Sequence, residues 1–309
     1  MKLATLVRIV PPDLQIVLAD IGSAGCLHPR WNALRPLVRG MLFEPRDGGE
    51  PTVVGRDLVF PIALGPVAGR STLNITALAN MSSTLTPNAA LLETFAKKPA
   101  HAAIVGGIEL PVDTLDAVAE RSNLSVDVLK ADTQGSELGI LQGATATLSA
   151  DTVLAEVEVS LFERYTGQAL LCDIVAFMDA RGFELIELHR LKRYRRRNGF
   201  GIGNLGMGGG QRAGRLAYGD AIFLLKEAEL RKRIAARTPE QGESLVLKTV
   251  LALLAYGKAD MAAYVVEVFG ADLREPWRGR LHAWFARLGR RPLGSGILHH
   301  AFDYLARHV

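Results

Sequence analysis

Between Ile16 and Glu229 short β-branched or apolar runs alternate with stretches of helical spacing, the pattern of an α/β domain built on a mainly parallel sheet. The runs IVLADIG (16–22), GMLFEP (40–45), LVFPIALG (58–65), VDVLKADTQG (126–135), VLAEVEVSLF (153–162), FELIELH (183–189) and LAYGDAIFLL (216–225) read as buried strands. Glu137 to Ala150 and Leu170 to Arg181 have helical spacing, the second stopped by Gly182. The last two strands are joined by no helix. Asn198 to Gly214 between them is so rich in glycine that a flexible loop is expected. If the last strand runs antiparallel, that loop lies at the carboxyl ends of the parallel strands, where open α/β sheets bind ligands. The tail reads differently. Thr238-Pro239-Glu240-Gln241 forms a capping box with Pro at the first helical position and opens an apolar helix through Leu254. Further helices fit Ala259 to Phe269 and Pro276 to Leu288. The expected division is therefore a ligand-binding α/β domain over 1–229 and a helical appendage over 230–309, the latter for core packing or homo-oligomerisation.

Composition narrows the class. At 309 residues with 49% hydrophobic side chains, the chain can bury a sizeable core, which excludes disorder and disulfide-stapled miniproteins. Cys26 and Cys172 stand far apart with no metal-ligand spacing, so a reducing cytoplasm is the simplest location. The start MKLATLVRIVPP makes a poor signal peptide, and the longest apolar candidate, Leu245 to Tyr256, is too short to span a bilayer and is interrupted by Lys248. A soluble protein is expected. Charge changes the picture locally: eight of the 36 basic residues and none of the 32 acidic ones lie between His189 and Arg215, leaving the rest of the chain net acidic. Such a cluster points to a local anionic neighbour or a solvated loop. Only Tyr194 and Phe200 interleave it and no recognised binding module surrounds it, so nucleic acid is not the expected partner.

Four segments carry candidate chemistry. In Leu18-Ala19-Asp20-Ile21-Gly22-Ser23-Ala24-Gly25 a strand runs into a carboxylate and a glycine turn, where the backbone can approach a ligand closely. The next strand ends in Glu44-Pro45, where an acid would reach a ribose diol. The third segment, Lys130-Ala131-Asp132-Thr133-Gln134-Gly135-Ser136-Glu137, puts two acids near the ligand edge, although Glu137 also suits a helix N-terminus. In the fourth, strand alternation sets Glu156 and Glu158 on one face, where buried carboxylates need partners or a function. A nicotinamide-dependent oxidoreductase shares the acid-after-strand features but would need the GxGxxG turn that is missing here.

In this order the segments resemble the FkbM-type family of S-adenosylmethionine-dependent methyltransferases. The resemblance includes Met81-Ser82-Ser83-Thr84-Leu85, Val112-Asp113-Thr114-Leu115-Asp116, EVEVSLFERYTGQ, Arg181-Gly182-Phe183 and Tyr218-Gly219-Asp220-Ala221-Ile222-Phe223, and spans about Ile16 to Leu225. It implies a class I methyltransferase (Rossmann-like) fold: a mainly parallel seven-stranded sheet with an antiparallel last strand, followed here by the all-α appendage. The cofactor implied is S-adenosylmethionine, with Asp20, Gly22 and Gly25 on the methionine side, Glu44 at the ribose, and Ser82 and Ser83 near cofactor or acceptor. The implied reaction is O-methylation of a hydroxyl on a sugar, glycolipid or related small molecule. In-line transfer then needs a base for the hydroxyl proton, for which Asp132 is the first candidate and Glu158 the second. His101 and His189 are poorer candidates. A metal-assisted variant through Asp132 and Asp220 is conceivable, but no spacing calls for a metal. The basic segment with Arg195, Arg196 and Arg197 would overhang the acceptor side as a lid recruiting an anionic acceptor. The competing reading from another class is a non-catalytic methyltransferase-like binding or assembly protein.

Overall fold

The apolar runs become strands because each is short, rich in Val, Ile, Leu and Phe, and bounded by glycine or proline. A computed structural model describes residues 3–23, 25–45, 48–202 and 213–289. Its strands are β1 (Ile16–Ile21), β2 (Val38–Phe43), β3 (Thr52–Val54), β4 (Asp57–Phe60), β5 (Ala63–Leu64), β6 (Gly69–Thr76), β7 (Ile104–Asp113), β8 (Val128–Ala131), β9 (Leu154–Ser160), β10 (Phe183–Tyr194) and β11 (Arg215–Leu225). Most of the glycine-rich stretch expected as a loop, residues 203–212, and the end of the tail, 290–309, lie outside the described residues.

The large sheet has the order β10-β11-β9-β8-β1-β2-β4-β3. β11 is antiparallel to β9 and β10 and β3 is antiparallel to β4, while β2, β1, β8 and β9 pair in parallel. From β1 the chain builds outward through β2 and β4 on one side, then returns to build β8 and β9 on the other, so the switch point lies between β1 and β8. The strand count differs from the expected seven. Gly55, with φ +63, opens a two-residue turn that folds β3 back on β4 and adds an eighth strand at the edge.

Other differences have local causes. The run expected as one strand over 58–65 breaks at Pro61, which has no N–H for a ladder, and its second half joins a separate sheet of order β5-β7-β6. The helix expected over Glu137 to Ala150 is two helices, Glu137–Gln142 and Thr145–Ala150. Asp116 caps the second, accepting hydrogen bonds from the Ala146 and Thr147 amides at 2.9 and 2.7 Å. At the break, a Cβ on Gly143 would stand 2.1 Å from the Gly65 carbonyl oxygen, so only glycine lets the two chains touch.

The helix Pro239–Ala255 starts on the expected capping box, with Thr238 and Gln241 exchanging hydrogen bonds of 3.2 and 3.3 Å. Leu247, Val250, Leu251 and Leu254 of this helix share one apolar core with Ile16, Leu18, Val128 and Ala155 of the sheet. Lys248 reaches across that contact to Asp127 at 2.8 Å. Asp127 is fully buried and also accepts the Val17 amide at 2.7 Å. Burial pushes its carboxyl up to about 6, against the pull of Lys248. A smaller core, with Met81, Leu92, Phe95, Phe162 and Tyr194, lies beyond the carboxyl edge of the sheet. No helix among the described residues is long and apolar enough to cross a membrane.

Candidate active site

β1 ends in a turn at Gly22, whose φ of +83 favours glycine and whose Cβ would lie 2.1 Å from the Asp132 carbonyl oxygen. The Asp132 amide donates to the Ile21 carbonyl at 3.0 Å. The ends of β1 and β8 therefore close on each other at the switch point. There a cavity of about 710 Å³ opens, with Gly22, Glu44, Asp132 and Glu158 on its sheet side and Leu64, Leu73 and Leu110 of the second sheet as an apolar wall.

Five of the eight candidate residues meet at this cavity: Gly22, Glu44, Ser82, Asp132 and Glu158. Glu44 is buried at the end of β2, its amide held by the Phe60 carbonyl at 3.1 Å. Ser82 accepts the Thr76 amide at 3.1 Å while facing the cavity. The other three do not line it. Asp20 sits one step further down the face of β1, buried and paired with Lys130 at 3.1 Å. Burial raises its pKa while Lys130 opposes the shift. Gly25 has φ +81 but is solvent-exposed with open space around it. Ser83 is buried in a turn, where it accepts the Leu85 amide at 3.0 Å and its backbone bridges to Asn74.

The two candidate bases have different surroundings. Glu158 is buried and forms an ion pair with Arg164, which also donates to the Ser160 hydroxyl at 2.9 Å. Burial raises the Glu158 pKa well above its usual value, Arg164 opposes this, and the neighbouring carboxylates of Glu137 and Asp132 reinforce it. Asp132 is half-buried and accepts from the Gln134 side-chain amide at 3.2 Å. The same amide donates to Glu158, so Gln134, held at φ +63, ties the two acids together. Glu137, the second acid of that segment, turns away to accept the amides of Thr133 and Gly135 at 2.9 to 3.0 Å, which shapes the loop carrying Gln134.

Glu156 lies on the face of β9 that carries Glu158, one step down the strand. Arg30 meets its carboxylate at 3.0 Å, the Tyr256 hydroxyl at 2.8 Å, Arg190 at 3.2 Å and His189 at 3.5 Å. Burial disfavours the charge, but the His189 hydrogen bond, Arg30 and Tyr256 outweigh it and hold the carboxyl at about 2. Glu156, His189 and Asp220 bring one ligand atom each within 4.8 Å of one another. Arg190 already bridges both carboxylates, reaching Asp220 at 2.5 Å.

Sequence reasoning placed Lys192 only as one member of the basic run and did not single out Lys98, yet both line the cavity, as do Arg164 and Arg190. Arg190 was visible only as one member of the basic run. Its φ of +51 coincides with the register shift between His189 and Lys192, and such irregularities re-aim side chains. The run then docks beside the cavity through backbone bonds from Ala96 to the Arg195 carbonyl and from Arg197 to the Thr94 carbonyl, at 2.9 and 3.0 Å.

Residues 40–185 match the family model of the methyltransferase FkbM domain. This stretch holds Glu44, Ser82, Asp132 and Glu158, whereas Gly22 precedes it. Among solved structures, methyltransferase FkbM from Methylobacillus flagellatus KT is similar at 14% sequence identity, covering 71% of this chain and 48% of that chain, with a TM-score of 0.33. This chain thus spans less than half the length of that relative. No curated protein matches.

Proposed function

We propose, from the FkbM methyltransferase domain matched by residues 40–185, that this protein is an S-adenosylmethionine-dependent O-methyltransferase acting on a hydroxyl of a sugar, glycolipid or related small molecule. The observation that carries the reading is the convergence of Glu44, Asp132 and the Gly22 turn on one cavity at the switch point of the sheet. The residues fit the group. A buried carboxylate after β2 suits a ribose diol, the glycine turn at Gly22 lets the ends of β1 and β8 meet at the cavity, and an acidic wall complements a cationic sulfonium.

S-adenosylmethionine would supply, when bound, an electrophilic methyl group with a neutral thioether as its leaving group. The protein's part is then to bind, to orient and to take a proton. Glu44 would accept from the ribose hydroxyls. Asp132 is the base: it faces the cavity, accepts from the neutral Gln134 amide and has no ion-pair partner among the described residues. Its carboxylate takes the acceptor's hydroxyl proton as the oxygen forms its bond to carbon. Glu158, committed to Arg164, positions Asp132 through Gln134. The apolar wall of Leu64, Leu73 and Leu110 excludes water from the reacting oxygen.

Calorimetric titration of the full chain with S-adenosylmethionine, S-adenosylhomocysteine and NAD tests the donor. Binding of the first two alone is expected, and a panel of sugar hydroxyls then identifies the acceptor. Binding of NAD alone overturns the reading.

A further inference from the structure

Of the four cations lining the cavity, two are matched and two are not. Arg164 pairs with Glu158, and Arg190 with Asp220 and Glu156. Lys98 and Lys192 have no carboxylate partner among the described residues. Lys98 is half-buried, and its ammonium rests 4.1 Å over the Tyr194 ring, two residues along β10 from Lys192. A half-buried ammonium held by a ring face alone remains under-solvated. Burial, with Arg164 nearby, lowers its pKa accordingly. His101, one turn along the helix from Lys98, also lines the cavity and has a buried Nδ1 without a hydrogen-bond partner. Behind these groups Arg196 and Arg215 stack on Phe95 and Phe162 at 4.8 and 4.4 Å, again with no carboxylate partner among the described residues.

Resting on the methyl-transfer reading of the same cavity, we propose that Lys98, His101 and Lys192 form a subsite for a phosphoryl group carried by the methyl acceptor. Lys98 and His101, on the helix Lys98–Ala102, and the exposed Lys192 of β10 all line the cavity that Glu44 and Asp132 also line. An anion against the two lysines supplies the counter-charge that the fold withholds. Two ammonium groups and an imidazole offer more donors than the two oxygens of a carboxylate can accept, and they match the terminal oxygens of a phosphate monoester. A charge-assisted anchor at one end of the acceptor leaves its hydroxyl free to face Asp132.

The test uses the full chain and two probes, glucose 1-phosphate for a soluble phosphorylated acceptor and vesicles containing phosphatidylinositol 4-phosphate for a lipid-borne one. The expected result is binding of a probe that weakens as salt is raised, weakens about tenfold or more in the double variant Lys98→Gln/Lys192→Gln, and is retained in Lys98→Arg/Lys192→Arg. S-adenosylmethionine binding stays within about twofold in both variants, which also shows that they fold. The probe that responds identifies the soluble or the lipid source. If the wild type binds neither probe, or binds one equally well in the glutamine variant, the subsite falls. A parallel loss of S-adenosylmethionine binding assigns the lysines to the donor and also overturns the proposal. Probe binding without any S-adenosylmethionine binding by the wild type removes the methyl-transfer reading and leaves the anion site standing.

Discussion

On one face of the large sheet Asp20, Lys130 and Glu156 form a row across β1, β8 and β9, and Gly22, Asp132 and Glu158 occupy the next positions toward the carboxyl ends. The inner row is electrostatically closed: Lys130 meets Asp20, and Glu156 is surrounded by Arg30, Arg190 and Tyr256. In the outer row Glu158 is closed by Arg164, whereas Asp132 accepts from the Gln134 amide, has no ion-pair partner among the described residues and opens to the cavity. A carboxylate neutralised by its own fold has its hydrogen-bonding capacity committed to packing. One left with a neutral donor beside a cavity can still accept a proton. The two rows thus separate committed acids from one left open to the cavity, on residues two positions apart.

The sharpest way to break this contrast is Asp132→Asn, which keeps the side chain's shape and an acceptor oxygen but removes the proposed base. Methyl transfer to the acceptor found in the hydroxyl panel is expected to fall by about 10²- to 10⁴-fold, with S-adenosylmethionine affinity within about threefold by calorimetry. Undiminished turnover would make the outer row as structural as the inner one.

Next in size is the pair Gly22→Ala and Gly25→Ala. Both glycines have φ near +80, so each substitution carries about 1 to 2 kcal/mol of left-handed strain. Only Gly22 adds a collision with the backbone at Asp132, whereas Gly25 faces open space. Gly22→Ala should therefore lower Tm by several degrees more and abolish donor binding. Equal Tm shifts would mean that the turn relaxes and that the close approach at Gly22 is dispensable.

What the chain reveals in its own letters follows the same division. Glu156 and Glu158 share a face because strand periodicity requires it, and the helix at Pro239 begins where Thr238 and Gln241 stand because capping is local. Asp132 is legible for the same reason, as a carboxylate closing an apolar run. Asp20 reads identically, and nothing nearby in sequence announces that Lys130, 110 positions on, neutralises it. The second sheet is hidden because β7 is mostly exposed and carries two glycines and a proline, so it lacks the apolar alternation of a half-buried strand. Lys98 and Lys192 gain meaning from having no carboxylate partner among the described residues, a property of the tertiary structure alone.

Asp127 gives a pH test of the joint between the sheet and the helix Pro239–Ala255. Its folded pKa of about 6 exceeds the unfolded value near 3.8, so the folded state binds more protons between the two. Stability from this group is therefore fully present below about pH 4 and is lost as pH rises toward 6, by a difference on the order of 3 kcal/mol. Relative to Asp127→Asn, which does not titrate, the wild type should gain stability in urea unfolding as pH falls from 7 to 4. A constant difference between the two would mean that Lys248 holds Asp127 charged throughout.

The smallest effect tests whether the inner row is as closed as its contacts suggest. Tyr256→Phe removes a 2.8 Å hydrogen bond to Glu156 but leaves Arg30, 4.2 Å above the ring, in place. Because three other donors still reach Glu156, the loss should be about 1 to 2 kcal/mol, visible as a Tm lowered by a few degrees. Its pH course follows from a depressed pKa. The Glu156 contribution is complete above the unfolded value near 4.5 and declines as pH falls toward 2, so the gap between wild type and variant should stay constant from pH 7 to 5 and narrow below it. Donor binding should be unchanged, since Tyr256 does not line the cavity. A variant with intact Tm but weakened S-adenosylmethionine binding would show instead that the inner row transmits to the outer one, and that the helix Pro239–Ala255 reaches the site through Glu156.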